Sequence, residues 1–538
     1  MAMNEATDKF GVTRTAPVQS IKSSKPVRYV DASACEMTMQ IGIFFDGTGN
    51  NLELDKGKQA HSNVARLYDA YPNNYEEGNY AVYIPGLGTP FPLIGEDTET
   101  TTGGAFASGG DSRIVFALLR VFDAIHKSLF HAELFSKELR KALCNSSPSK
   151  ADKKLLEKVG LVASLVDGDG RSRSGRYLIA CINSIEKTMR TQRTPKVCEC
   201  LLDIFGFSRG ATEARVFCHW LSDLLNSSGL AGIPLRFRFL GLMDTVASVG
   251  VWEGIKNDQL RTTGGHSNWA TPDVLRILPT VENCVHLIAI HELRKNFPLD
   301  TVLFNHDLPP NCVEYVYPGS HSDVGGGYRP GELGVSIADS LKLSQIPLNH
   351  MYDCAVAANV PLSKDRPGTN GKATFAVHDE LSVAFNQFID ISTEVPRSLG
   401  DWMLPYLVWR WQTRSVYEKT GQAMRANPED RSYLLAGNQQ FCWLDEQMQM
   451  FNYSKTAKWK KRPYDRDGTQ VALPALEPEA MDLRARVAAQ SRISPTLAAF
   501  FDGFVHDSLA GFRKKLVEPT GHWRYRRLFR GSDAPYIG

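Results

Sequence analysis

Apolar residues gather in six short runs between residues 39 and 317, separated by helical spacing or by turn-forming sequence. The runs are 39–45 (MQIGIFF), 80–86 (YAVYIPG), 197–205 (VCECLLDIF), 235–243 (LRFRFLGLM), 284–290 (CVHLIAI) and 312–317 (CVEYVY). Each has strand length and is too continuous to keep one face in water, so the runs predict strands of a sheet covered on both sides. Between them, residues 113–143 carry helical spacing, with Ile114, Leu118, Val121, Phe122 and Ile125 on one face. Residues 175–190 and the stretch from Arg209 to about Leu225 do the same. The alternation predicts an α/β fold, a mostly parallel sheet with helices on both faces.

The pattern also divides the chain. Residues 1–36 are polar and aperiodic and read as a loose arm. Residues 37–345 hold the α/β core, with a Gly/Thr/Ser-rich loop over 95–112 and an insertion around 145–174. Residues 346–538 are richer in Trp, Arg and Pro and read as a mixed, mainly helical part, partly packed on the core, that serves as a lid or meets a membrane or partner.

Composition changes this picture little. The 61 Lys and Arg balance 59 Asp and Glu to a formal charge of +2, which gives no basis for nucleic-acid binding. The ten cysteines are scattered without a CxxC pair and read as free thiols in a reducing compartment. The N-terminal residues lack the apolar run of a signal peptide, and no apolar stretch reaches membrane-spanning length. There is no HExxH, no His/Cys ligand cluster and no EF-hand loop, so no metal and no cofactor are expected.

The chemistry is carried by the ends of the strands. Gly206-Phe207-Ser208-Arg209-Gly210 is a GxSxG lying between a buried strand and a helix, the setting of a nucleophile elbow in an α/β-hydrolase. Side chains at 206 and 210 would collide with the neighbouring helix and strand, and the helix N-terminus places positive potential where negative charge develops. Serine needs a base, and the base an acid, in the chain order Ser, Asp/Glu, His. Asp244 directly follows the fourth run, and His321 follows the sixth in a loop of Pro and Gly. His291 and His506 are rivals for the base, and Asp323 for the acid. The backbone N–H of Arg209, with donors from Gly47 and Thr48 after the first strand, forms the expected oxyanion site.

Four motifs together resemble those of family 1 of the type VI secretion lipase effectors: IGIFFDGTGNN (41–51), GFSRGA (206–211), FLGLMDTVASVG (239–250) and PGSHSDVGGGY (318–328). A weaker likeness lies at VHDSLAGF (505–512). The resemblance implies a phospholipase with an α/β-hydrolase fold and a Ser208–Asp244–His321 triad, acting on membrane glycerophospholipids at the sn-1 or sn-2 ester. It implies an antibacterial toxin made in the cytoplasm without a signal peptide and delivered by the type VI machinery to the target cell's periplasm or membrane. Its implied partners are a secretion spike protein and a cognate immunity protein. Other readings are a carboxylesterase acting on soluble esters and a non-catalytic binding protein built on the hydrolase fold. Two further segments suit a lipid surface. Residues 399–417 combine three Trp, two Tyr and two Arg with aliphatics, which equally suits a buried helix of the second part, and Trp523 to Arg530 is basic and aromatic, fit for anionic lipid, a partner or a solvated tail.

Overall fold

The computed structural model describes residues 36–99, 109–166, 170–191, 196–248, 266, 269–294, 296–304, 307–366, 370–392, 398–419, 421–453, 478–490, 492–512 and 522–530. The expected N-terminal arm lies outside these residues, but for its last position. All six apolar runs are strands: β1 (Glu36–Phe45), β2 (Asn79–Ile84), β3 (Lys196–Phe207), β4 (Leu235–Met243), β5 (Cys284–Ala289) and β7 (Cys312–Tyr317). They form one sheet in the order β2-β1-β3-β4-β5-β7, and every pairing is parallel. A separate two-residue pairing joins β6 (Leu299–Asp300) to β8 (Leu528–Phe529).

Period-two alternation along the strands feeds two apolar layers. Ile41, Ile43, Phe45, Leu202, Ile204, Leu240 and Leu242 face one of them. Over that layer lie α2 (Gly110–Phe130) and α6 (Arg209–Ser222), after α1 (Asn63–Ala70) has crossed the opposite face. Between α2 and α6 the chain forms α3 (Lys137–Cys144), α4 (Lys150–Lys158) and α5 (Gly170–Thr191). The second layer collects Phe44, Phe205, Phe207, Phe239 and Met243 with α1 and, after α7 (His321–Gly325), with α8 (Gln345–Ala357).

The helical stretch expected over 113–143 is two helices. The chain turns at His131, whose φ of 58° ends α2, and Ser136 caps the N-terminus of α3 by accepting from the Leu139 N–H at 3.1 Å. The apolar positions on either side keep their spacing, so the break is invisible in hydrophobic periodicity alone. The insertion around 145–174 is partly ordered as α4 and the start of α5; residues 167–169 lie outside the described ones.

Beyond 345 the chain is helical: α9 (Asp379–Ser392), α10 (Leu399–Thr413), α11 (Pro428–Tyr453), α12 (Pro478–Ala489) and α13 (Pro495–Phe504). These helices share the second layer with the sheet, through Phe388, Trp402, Tyr406, Phe441, Phe500 and Phe501. Of the two readings of 399–417, a lipid-facing surface or lid and a buried helix, this placement fits the buried helix. Trp402, Tyr406, Trp409, Arg410 and Tyr417 are all buried. The aromatic rings fill the space between α9, α10 and α13, where Phe388 stacks on Phe500 with centroids 4.6 Å apart. The basic-aromatic 523–530 is buried as well. Trp523 stacks on Phe441 at 4.7 Å, and Arg524, Arg526 and Arg530 are each less than a tenth exposed. No helix of the described residues is long and apolar enough to cross a membrane.

Candidate active site

β3 is buried from Cys200 to Phe207, apolar but for Asp203, and α6 begins at Arg209, which leaves Ser208 alone to turn the chain. It does so at φ 58°, ψ −127°, a conformation that L-residues avoid. Two hydrogen bonds hold it there: its N–H donates to the Met243 carbonyl at 3.0 Å, and its carbonyl accepts from Val246 N–H at 3.2 Å. The turn is therefore stitched to the end of β4. The flanking glycines are steric necessities. A Cβ at 206 would stand 2.5 Å from Ala211 Cα, and one at 210 would stand 2.4 Å from the carbonyl oxygens of both Phe45 and Asp46. Close approach at 210 brings the loop after β1 against the N-terminus of α6.

Asp244 leaves β4 at φ 48° and is fully buried. Its N–H donates to the Leu287 carbonyl at 2.7 Å. Oδ1 accepts from Ala289 N–H at 2.8 Å and from Arg526 Nη1 at 2.5 Å. Oδ2 is in short hydrogen-bond contact with His321 Nδ1. His321 opens α7, whose Ser320 and Asp323 form a reciprocal capping box. Its N–H donates to Glu292 Oε2 at 3.1 Å, and its ring is packed by Phe207 at 4.6 Å and Phe297 at 5.0 Å between centroids. Phe207 immediately precedes Ser208, so this stack sets the imidazole beside the turn. With Nδ1 paired to a carboxylate, the proton belongs on Nδ1 and the lone pair on Nε2, the form of a general base.

The electrostatics follow from burial and one cation. Burial alone would raise the Asp244 pKa, but the Arg526 guanidinium and the His321 hydrogen bond outweigh it and hold the carboxyl well below the usual carboxylate range. Burial lowers the His321 pKa from its ordinary value, against the opposing pull of Asp244. Asp46, at the head of the glycine loop, is pushed up to about 6 by burial, although it accepts from Gly47 N–H at 2.7 Å and from Tyr83 Oη at 2.5 Å.

The other sequence candidates have different places. His291 Nδ1 accepts from Gly319 N–H at 2.9 Å, and burial lowers its pKa to about 4; the residue starts no helix. His506 and Asp323 pair with each other at 2.6 Å, and Tyr328 stacks on His506 at 3.7 Å. Asp323 also accepts from the Ser320 N–H and hydroxyl, so it shapes the loop under His321. In the glycine loop, the Gly47 N–H is committed to Asp46, which narrows the expected donors there to Thr48. The Thr48 hydroxyl is buried with no hydrogen-bond partner among the described residues. Arg209 heads α6, where an amide has no intrahelical acceptor.

Two residues of this site were missed by the sequence reading. Glu292 follows β5, as a triad acid would follow its strand, yet it grips the His321 backbone and is paired to Arg294 at 3.0 Å. Arg526 sits in the segment read as a lipid or partner contact, and its partner lies 282 positions upstream. Strand-end position signalled the first; nothing local signalled the second.

Residues 232–354 match the family model described as "T6SS, Phospholipase effector Tle1-like, catalytic domain". This span includes Asp244 and His321, and it accords with the motif resemblance. No curated protein matches the chain. Among solved structures, an uncharacterized protein from Pseudomonas aeruginosa is 24% identical with a TM-score of 0.71, over 98% of this chain and 85% of that one. It shares the fold. A structure of the Tle1 effector bound to the VgrG spike from the Type 6 secretion system aligns at 17% identity and a TM-score of 0.35, over 69% of this chain and 83% of that one.

Proposed function

We propose that this chain, whose residues 232–354 match the catalytic domain of Tle1-like type VI secretion phospholipase effectors, is itself a serine phospholipase with Ser208, His321 and Asp244 as its triad. The observation that carries the reading is the buried Asp244–His321 hydrogen bond beside a serine held at φ 58° between a strand and a helix. In this mechanism His321 Nε2 takes the Ser208 proton, and Oγ attacks an acyl ester carbonyl of a glycerophospholipid. The oxyanion is met by the Arg209 N–H and by Thr48, at the positive end of α6. Collapse expels the lysolipid alcohol, which takes its proton from His321. Water, deprotonated by the same imidazole, then cleaves the acyl-enzyme and releases the fatty acid. Asp244 holds the ring in one tautomer throughout. The effector reading adds delivery by the type VI machinery into a rival cell, carriage on a spike protein and neutralisation by an immunity protein in the producer.

A second reading, a carboxylesterase acting on soluble esters, is favoured by one finding: both segments expected to meet lipid are buried. One experiment separates the two. Wild type and Ser208→Ala are incubated with vesicles of mixed bacterial phospholipids, and fatty acid and lysolipid are read by mass spectrometry. Release of both by wild type and of neither by the alanine variant supports the phospholipase. Cleavage of a soluble short-chain ester with inert vesicles leaves the esterase. Equal release by both proteins ends the role of Ser208.

A further inference from the structure

The segment 522–530 reaches the centre of the site from the far end of the described chain. It is docked by strand pairing: Leu299 N–H donates to the Arg527 carbonyl at 2.8 Å, and Thr301 N–H to the Phe529 carbonyl at 2.9 Å. The pairing points the Arg526 side chain inward, where it is 1% exposed against an Asp244 that is 0% exposed. Its Nε donates to the Phe297 carbonyl at 2.7 Å. Its Nη1 donates to the Ala289 carbonyl at 3.1 Å and to Asp244 Oδ1 at 2.5 Å. Two of these three anchors are main-chain carbonyls, one at the last residue of β5 and one in the loop beyond it, so the guanidinium is fixed independently of the carboxylate it meets.

That fixation matters because the two oxygens of Asp244 do different work. Oδ1 is taken by Arg526 and the Ala289 N–H, which leaves Oδ2 to face His321 Nδ1. A carboxylate buried this deeply and left without a counter-charge binds a proton, and a protonated acid cannot stabilise an imidazolium. Two other carboxylates lie near the pair: Glu292 accepts from the His321 N–H at 3.1 Å and is paired to Arg294 at 3.0 Å, and Asp323 is paired to His506 at 2.6 Å. Arg209 and Glu213 lie on α6 behind the serine.

We propose that Arg526 is a positioning residue of the active site, supplying the counter-charge to Asp244 and fixing Oδ2 on His321, so that the C-terminal segment is part of the catalytic unit. This rests on the triad proposed above. The test uses the full chain, a p-nitrophenyl short-chain ester over pH 5 to 9, and fluorophosphonate labelling of Ser208. Arg526→Met is expected to lose on the order of 10²-fold in kcat/KM. Its acid limb is expected to move up by about one pH unit, because His321 loses a repelling cation and Asp244 loses its counter-charge. Arg526→Lys should return part of both. In an Asp244→Asn background, which strands no carboxylate, Arg526→Met should change little. A folded Met variant with parental kcat/KM and an unmoved limb overturns the proposal, as does an equal loss in both backgrounds. If the Met single variant fails to fold, the Lys variant and the double variant carry the same comparison. Absence of both labelling and hydrolysis in wild type defeats the triad itself, and this proposal with it. Labelled, active wild type with indifferent Arg526 variants defeats the positioning role alone.

Discussion

At Ser208 the backbone stores strain of order 1–3 kcal/mol, and its bonds to the end of β4 and to the loop after it, with the contact at Gly210, are what hold it. Gly210→Ala would drive a methyl group into two main-chain carbonyls that cannot step aside. It should destabilise the fold by about 1–3 kcal/mol and slow fluorophosphonate labelling of Ser208, read by thermal melting and labelling kinetics. Asp244→Asn should cost about 10⁴ in turnover, since amide for carboxylate favours the wrong imidazole tautomer, and should lower Tm because it leaves the buried Arg526 guanidinium without its anion. Near-parental turnover would remove Asp244 from the triad. Asp46 gives a pH test. Its carboxyl is raised from 3.8 to about 6, so the stability it lends through its bound proton is complete below about pH 4 and is lost as pH rises through 6. Asp46→Asn never carries that charge. Its Tm relative to the parent should therefore climb between pH 5 and pH 8, and an equal difference at both pH values would refute the buried-carboxyl account.

Among the elements, α10 shows how composition can mislead. Trp, Tyr and Arg beside aliphatics are what a membrane interface recruits, and also what a large buried helix uses when polar groups find partners inside. Here Arg410 lies over the Tyr417 ring at 4.2 Å and faces Asp507 at 3.5 Å. Trp402→Ala should accordingly cost about 3–5 kcal/mol of stability, measured by denaturant unfolding, and leave vesicle association of the folded fraction unchanged. The strands were legible for the opposite reason. A run such as CVHLIAI has no amphipathic alternative at its length, and Gly206 and Gly210 announced the elbow by their spacing. The break at His131 was not legible, because a left-handed cap needs only one residue and leaves the apolar spacing on either side intact.

Across the whole molecule, the mostly parallel sheet, the serine turn and the Asp244–His321 pairing could be anticipated from the apolar runs and their ends, since each partner stands where a parallel sheet presents its C-terminal edge; the order of the strands could not. Nor could the contribution of the last third. Ser508 reaches Glu292 at 2.9 Å, and His506 reaches Asp323 at 2.6 Å across 183 positions; no local pattern encodes such pairings. The pH profile is the property of this assembled environment. Burial places the His321 pKa below its ordinary 6.5, so the acid limb of kcat/KM for a short-chain ester should fall below that value. A limb above 7 would contradict the buried geometry. The docking of β8 also has a meaning in time. A ribosome makes Ser208, Asp244 and His321 long before it reaches Arg526, 282 positions after Asp244. A nascent chain stalled after α13 should thus carry a serine that fluorophosphonate labels far more slowly, and full reactivity should appear only once β8 has emerged and paired with β6.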